Sequence, residues 1–219
     1  MVKIVRLALL VATHIPVLFV VAVASLLLAT PAAVLAQPGA TYRVVSQGNQ
    51  GGRAEFWRNG VRYYRATGGS GGGRGFNVSL VDGVTGIPVE MTHYDTWISR
   101  GTGVDMGRLV DYLINQVPDG SLVLIAVCDD AGLTQWAPFA CQRLPYQWID
   151  QLYEQLEALG STRIRAYCYW YGWAFAAIKG RGMLGEQLSS GPGEEVSIEA
   201  VVPVEPTTWG RIKSVYSPN

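Results

Sequence analysis

Chemistry in this chain of 219 residues would fall to a few side chains of suitable type and spacing. Asp129-Asp130-Ala131-Gly132 sets two carboxylates in a turn that follows the continuous apolar run Leu122 to Val127. Paired carboxylates cleave glycosidic bonds only when both face one substrate, and neighbours in an extended chain point opposite ways. The turn is better suited to a carboxylate that accepts hydrogen bonds from sugar hydroxyls, or to an aspartate that bonds its own backbone. Arg74 brings a planar fork of donors able to hold a hydroxyl or carboxylate, or to pair with a surface acid. Trp170 and Tyr171 lie between two β-prone segments, where an exposed ring would stack on the C–H face of a sugar; a ring capping the core is the alternative. Carbohydrate-binding residues are expected at Arg74, Asp130, Trp170 and Tyr171, and a catalytic residue is expected nowhere.

Other groups read as structural. His93 with Asp95 resembles half of a hydrolase triad, but no Gly-x-Ser-x-Gly elbow accompanies them. Gly68-Gly69-Ser70-Gly71-Gly72-Gly73 lacks the Lys-Ser/Thr of a phosphate loop and reads as a flexible connector. Asn77-Val78-Ser79 is a glycosylation sequon inside an expected strand. The cysteines are Cys128, Cys141 and Cys168, so at most one internal bridge forms. Cys141–Cys168 is expected, because the irregular segment from Trp136 to Leu144 needs a pin; Cys128–Cys168 is the rival. With no Cys-x-x-Cys pair and only His93 outside the first segment, neither a metal nor a cofactor is expected.

The elements that must position these side chains follow from patterning. Hydrophobic residues make up 49% and charged residues 16%, enough for a packed core, while 26 glycines and 11% aromatics favour strands and turns over a helical bundle. The 17 basic residues balance 17 acidic ones, which argues against a nucleic-acid partner. Lys3 and Arg6 precede a long apolar stretch that ends at Val34-Leu35-Ala36, the pattern of an export leader cleaved before Gln37; an uncleaved anchor over residues 7–29 is the alternative. Asn59-Gly60 between Glu55 and Tyr64 predicts a two-residue hairpin, and Phe76 to Val81 with Ile87 to Met91 a second. Met106, Leu109, Val110, Leu113, Ile114 and Val117 share one helical face, with Asp105 as N-cap and Pro118-Asp119-Gly120 as the stop. Leu122 to Val127 predicts a strand covered on both faces. A helix begins at Pro145 and closes at Gly160, and strands are expected over Arg163 to Cys168, Trp173 to Lys179 and Val196 to Val202. Strand, helix and the Arg163 strand would make a right-handed βαβ crossover.

Four segments together resemble the interleukin-like EMT inducer, or PANDER-like, domain. They are Gly73-Arg74-Gly75-Phe76-Asn77-Val78 with Thr85-Gly86; the strand ending in Asp129-Asp130-Ala131-Gly132; Leu159-Gly160-Ser161-Thr162; and Trp173-Ala174-Phe175 leading to Lys179-Gly180, with Val196 to Pro203 as closing strand. The resemblance implies an α/β (α+β) fold, a ββα-type sandwich of small sheets of mixed strands flanked by two main helices. It also implies binding without catalysis, either lectin-like or as a secreted cytokine-like ligand. In one branch of the family an arginine, an aspartate and a second arginine contact sugar; Arg74 and Asp130 match the first two, and Trp170 stands at the third. The expected organisation is a leader over 1–36, the domain over 37–203 and a tail over 204–219. Expected partners are a glycan or glycoprotein, or an extracellular protein, with a membrane only if the leader is retained.

Overall fold

A computed structural model describes residues 39–69, 72–97, 102–135 and 141–202; the expected leader over 1–36 and the expected tail over 204–219 lie outside them. In chain order the strands are β1 (Thr41–Gly48), β2 (Arg53–Arg58), β3 (Val61–Thr67), β4 (Gly75–Val81), β5 (Pro88–Tyr94), β6 (Leu122–Asp129), β7 (Tyr171–Ile178), β8 (Gly182–Pro192) and β9 (Glu195–Val201). Two helices, α1 (Val104–Asp111) and α2 (Gln147–Ala158), complete a mixed α+β fold. One arm of the sheet runs β3-β2-β1-β9 and the other β5-β4-β6-β7-β8. They meet where β1 and β6 pair in parallel at Gln47–Cys128 and Gly48–Asp129, while the other pairings are antiparallel.

The alternation of side chains across a strand divides the core into two layers. All eight residues of β6 are buried. Val123, Ile125 and Val127 pack with Phe76, Trp173, Phe175 and the apolar faces of α1 and α2. Leu122, Leu124, Ala126 and Cys128 face Tyr42, Val44 and Phe56 of the first arm. The continuous apolar run of β6 is thus the middle of a sheet–sheet–helix sandwich. Ser46 stitches the two arms, its hydroxyl donating to the Val127 carbonyl at 2.5 Å and accepting from the Trp173 N–H at 2.8 Å.

The Asn59-Gly60 hairpin forms with φ of 50° and 76°, the left-handed values its turn requires. In the second hairpin β4 is buried along its whole length, because β3 lies over its polar face. Tyr64 donates to Asn77 at 2.8 Å, and the Tyr63 hydroxyl meets that of Ser79 at 3.0 Å. Asn77, fully buried and donating to the Gly73 carbonyl, is therefore inaccessible as a glycan acceptor in the folded chain.

Three expectations differ from the structure. The α1 N-cap is Gly103, at φ 70°, and Asp105 instead sits in the first turn, paired with Arg108 at 2.9 Å. The helical face itself runs on to the Pro118 stop as expected, its last part being a π-helical turn, Tyr112–Gln116, whose end is closed by the Lys179 ammonium on the carbonyls of Leu113, Ile114 and Val117 at 2.8–2.9 Å. No strand covers Arg163 to Cys168; Ile164–Ala166 is a 3-10 turn, and β7 runs antiparallel to β6, so there is no βαβ crossover. The cause is Glu186 on β8, which accepts from the N–H groups of Thr162 and Arg163 and from the Ser161 hydroxyl, and so gathers the chain into a turn. Strands β1 and β8 were not expected from the sequence.

Candidate binding ledge

The turn residues converge where the two arms join. Asp129 ends β6 at φ 62°, the left-handed region that aspartate tolerates better than most residues. Its carbonyl accepts from Asn49 at 3.0 Å and its carboxylate from the Gly69 N–H at 3.1 Å. Gly68 makes room for it, since a β-carbon there would lie 2.6 Å from that of Asp129. Burial raises the Asp129 pKa, opposed by the Gly69 N–H, the Arg74 charge and the Trp170 indole.

Arg74 enters β4 and binds Asp95 through Nε and Nη2 at 3.2 and 3.1 Å. Its guanidinium lies 5.9 Å from the ring centre of Trp97, close enough for a cation–π contact. Trp97 packs against Tyr169 (centroids 5.5 Å) and Tyr169 stacks on Trp170 (4.6 Å). Trp170 has φ 63° and its carbonyl accepts from Gly193 at 2.9 Å; Gly48 must lack a side chain there, as a β-carbon would sit 1.9 Å from that oxygen. Arg74, Trp97, Tyr169 and Trp170, each half-buried, form a continuous ledge with Asp129 beneath it.

Of the sequence-nominated residues, Arg74 and Trp170 thus share one surface. Asp130 lies behind it, 1% exposed, accepting from the Tyr167 hydroxyl at 2.9 Å and the Gly132 N–H at 3.2 Å. Burial pushes its pKa up to about 6. Asp130 therefore ties the acidic turn to the segment before Trp170, and the carboxylate facing Arg74 is that of its neighbour Asp129. Tyr171 opens β7 and packs against the helix-side core. The sequence reading missed Trp97 and Tyr169, which carry no motif of their own, and weighed Asp95 only as a partner of His93. His93, whose Nε2 lies 2.7 Å from the Arg74 carbonyl, and Asp95, engaged by Arg74, do not form a triad half. The bridge joins Cys141 to Cys168, immediately before Tyr169, and Cys128 is free and buried. No group of three or more potential metal ligands occurs among the described residues.

A two-layered sheet under two helices, pinned by one disulfide beside an aromatic and charged turn cluster, defines a small ββα-type domain. Residues 74–181 match the family of the interleukin-like EMT inducer. The matched span runs from Arg74 to Arg181. Over 108 residues the chain is 33% identical to Protein FAM3C of Xenopus laevis, 33% to that of Rattus norvegicus and 30% to that of Homo sapiens. Each alignment covers 49% of this chain and 39% of the relative, so it spans well under half of the relatives' length.

Proposed function

We propose that the chain is an exported, cytokine-like ligand that acts by binding a partner protein at the ledge, without catalysis. Residues 1–36 serve as its leader, 37–203 as the binding domain and 204–219 as a tail. The observation that carries this reading is the composition of the ledge. Tryptophan, tyrosine and arginine dominate the energetics of protein–protein contacts, and here Trp97, Tyr169, Trp170 and Arg74 are contiguous and half-exposed. The Arg74–Asp95 fork and the stacked Tyr169–Trp170 pair hold these side chains in place before a partner arrives, which lowers the ordering entropy lost on binding. The match to an interleukin-like family supports the same class. No described helix is long and apolar enough to cross a membrane.

A carbohydrate is the second reading, favoured by one observation: a stacked aromatic pair beside an Arg74–Asp95 fork and the Asp129 carboxylate offers both a C–H platform and hydroxyl partners. Binding of the exported chain to responsive cells, before and after enzymatic removal of surface glycans or surface proteins, separates the two. The protein-ligand reading expects binding to survive deglycosylation and to vanish after mild proteolysis. Loss on deglycosylation, together with a signal on a glycan array, would replace it with the lectin reading.

A further inference from the structure

Strand β5 ends the second arm of the sheet and pairs only with β4 among the described strands. A free strand edge presents unpaired backbone donors and acceptors, and proteins usually guard such edges with lysine, proline or a bulge. From Ile87 to Tyr94 there is no lysine or arginine, and the two guards present, Pro88 and a bulge that leaves Val89 without an opposite residue on β4, stand at its start, so the edge from Glu90 to Tyr94 carries neither. Val89 is 59% exposed, as is Val104 across the way on α1. By contrast the β3 edge carries Arg62 and Arg65, both paired with Glu55.

Beside this edge, between β5 and α1, lies an open cleft of about 560 Å³, within the usual range of about 300–1,000 Å³ for ligand sites. Its aromatic walls are Tyr94, Tyr112 and Trp148. The indole lies against Gly103 and Gly107, where a β-carbon would meet the ring at 2.2 and 3.3 Å, so this wall is smooth and apolar. Two carboxylates line the cleft, Glu90 and Asp111. Glu90 is aimed by the Tyr112 hydroxyl at 3.1 Å and the Thr92 hydroxyl at 2.9 Å. The lining cation, Arg108, pairs with Asp105 and rests over the Tyr94 ring. The cleft therefore carries an excess of negative charge beside an apolar wall.

We infer that the β5 edge and this cleft form a docking groove for an extended segment of a partner polypeptide that carries a lysine or arginine. The segment adds to the sheet through main-chain hydrogen bonds. Because strand side chains alternate, every second one enters the cleft alongside Glu90, Thr92 and Tyr94. An apolar side chain lies on Trp148 and Val104, and the basic one reaches Glu90 and Asp111. A second copy of the chain is a poor occupant, since its own β5 would bring Glu90 against a strand with no cation from Ile87 to Tyr94. The groove shares no lining residue with the ledge, and the inference stands without it.

The test screens a positional-scanning library of octapeptides against the immobilised full exported chain, followed by amide chemical-shift mapping with the best peptide. The groove predicts selection of lysine or arginine at one register position and shifts over residues 87–94 and 104–112. Glu90→Lys should weaken that peptide tenfold or more, Glu90→Gln by less, and Val61→Lys at the β3 edge not at all. Native amide spectra of the variants establish that each is folded. The inference is overturned if no position prefers a basic residue, if the shifts centre on Arg74, Trp97 and Trp170, if Glu90→Lys binds as the parent does, or if the edge proves to be occupied by a second copy in solution.

Discussion

Acidification from pH 7 to pH 5 should make this protein more stable, and Asp130 is the reason. Its carboxyl group is 1% exposed and burial pushes its pKa up to about 6, against an ordinary aspartate value of 3.8. A carboxyl whose pKa is raised by folding binds protons more tightly in the native than in the unfolded state, so stability falls as pH rises through the native pKa. Integrated between pH 5 and pH 7, the native state releases most of one proton and the unfolded state almost none. The linkage amounts to about 1.3 kcal/mol, with one pKa unit equal to about 1.4 kcal/mol. The partners explain why the charge is tolerated at neutral pH: the Tyr167 hydroxyl and the Gly132 N–H both donate to it. Urea unfolding at pH 5, 6 and 7, with the disulfide intact, measures the effect. Asp130→Asn removes the titration and should flatten the profile over this interval, whatever its effect on absolute stability. Parallel profiles for the parent and Asp130→Asn would refute the reasoning.

Three further outcomes follow from the packing. Replacing both Cys141 and Cys168 by serine should cost about 3.5 kcal/mol by loop-closure entropy for a separation of 27 residues, seen as a fall of about 10 °C in Tm by calorimetry. Lys179→Met keeps the aliphatic stem but strips the ammonium from three carbonyls at the end of the π-helical turn; a loss of about 2 kcal/mol in chemical denaturation is expected. Cys128, fully buried with its pKa pushed up to about 12, should resist thiol reagents in the native protein and react at once in denaturant, as mass spectrometry of the alkylated chain will record.

Much of the fold was legible because single features dictated it. Asn59-Gly60 fixed a hairpin through its φ preference, the run Leu122 to Val127 marked a strand covered on both faces, and Pro145 and Gly160 bracketed α2. Strand β8 escaped notice because Gly182, Gly185, Gly191 and Pro192 weaken its periodicity; it forms by pairing with β7, a long-range condition. The segment from Arg163 to Cys168 looks extended locally, but Glu186, more than twenty residues later, captures its N–H groups.

The ledge was half legible for a similar reason. Arg74 and Trp170 could be nominated from type and turn position, whereas the choice between Asp129 and Asp130 depends on the left-handed backbone at Asp129, which turns one carboxylate toward Arg74 and sends the other inward. Asp95 and Trp97 become ledge residues only because β5 pairs with β4 and brings its end to Arg74. No local pattern encodes that meeting.

Binding by ledge variants tests the proposal most directly. Arg74→Ala and Trp170→Ala, made separately in the exported chain, are compared with the parent for equilibrium binding to responsive cells and for Tm. Loss of a central aromatic or arginine contact is worth about 2 kcal/mol or more, so each variant should bind roughly thirtyfold more weakly while melting within a few degrees of the parent. Parent-like affinity in both folded variants would contradict the assignment of this ledge as the binding surface.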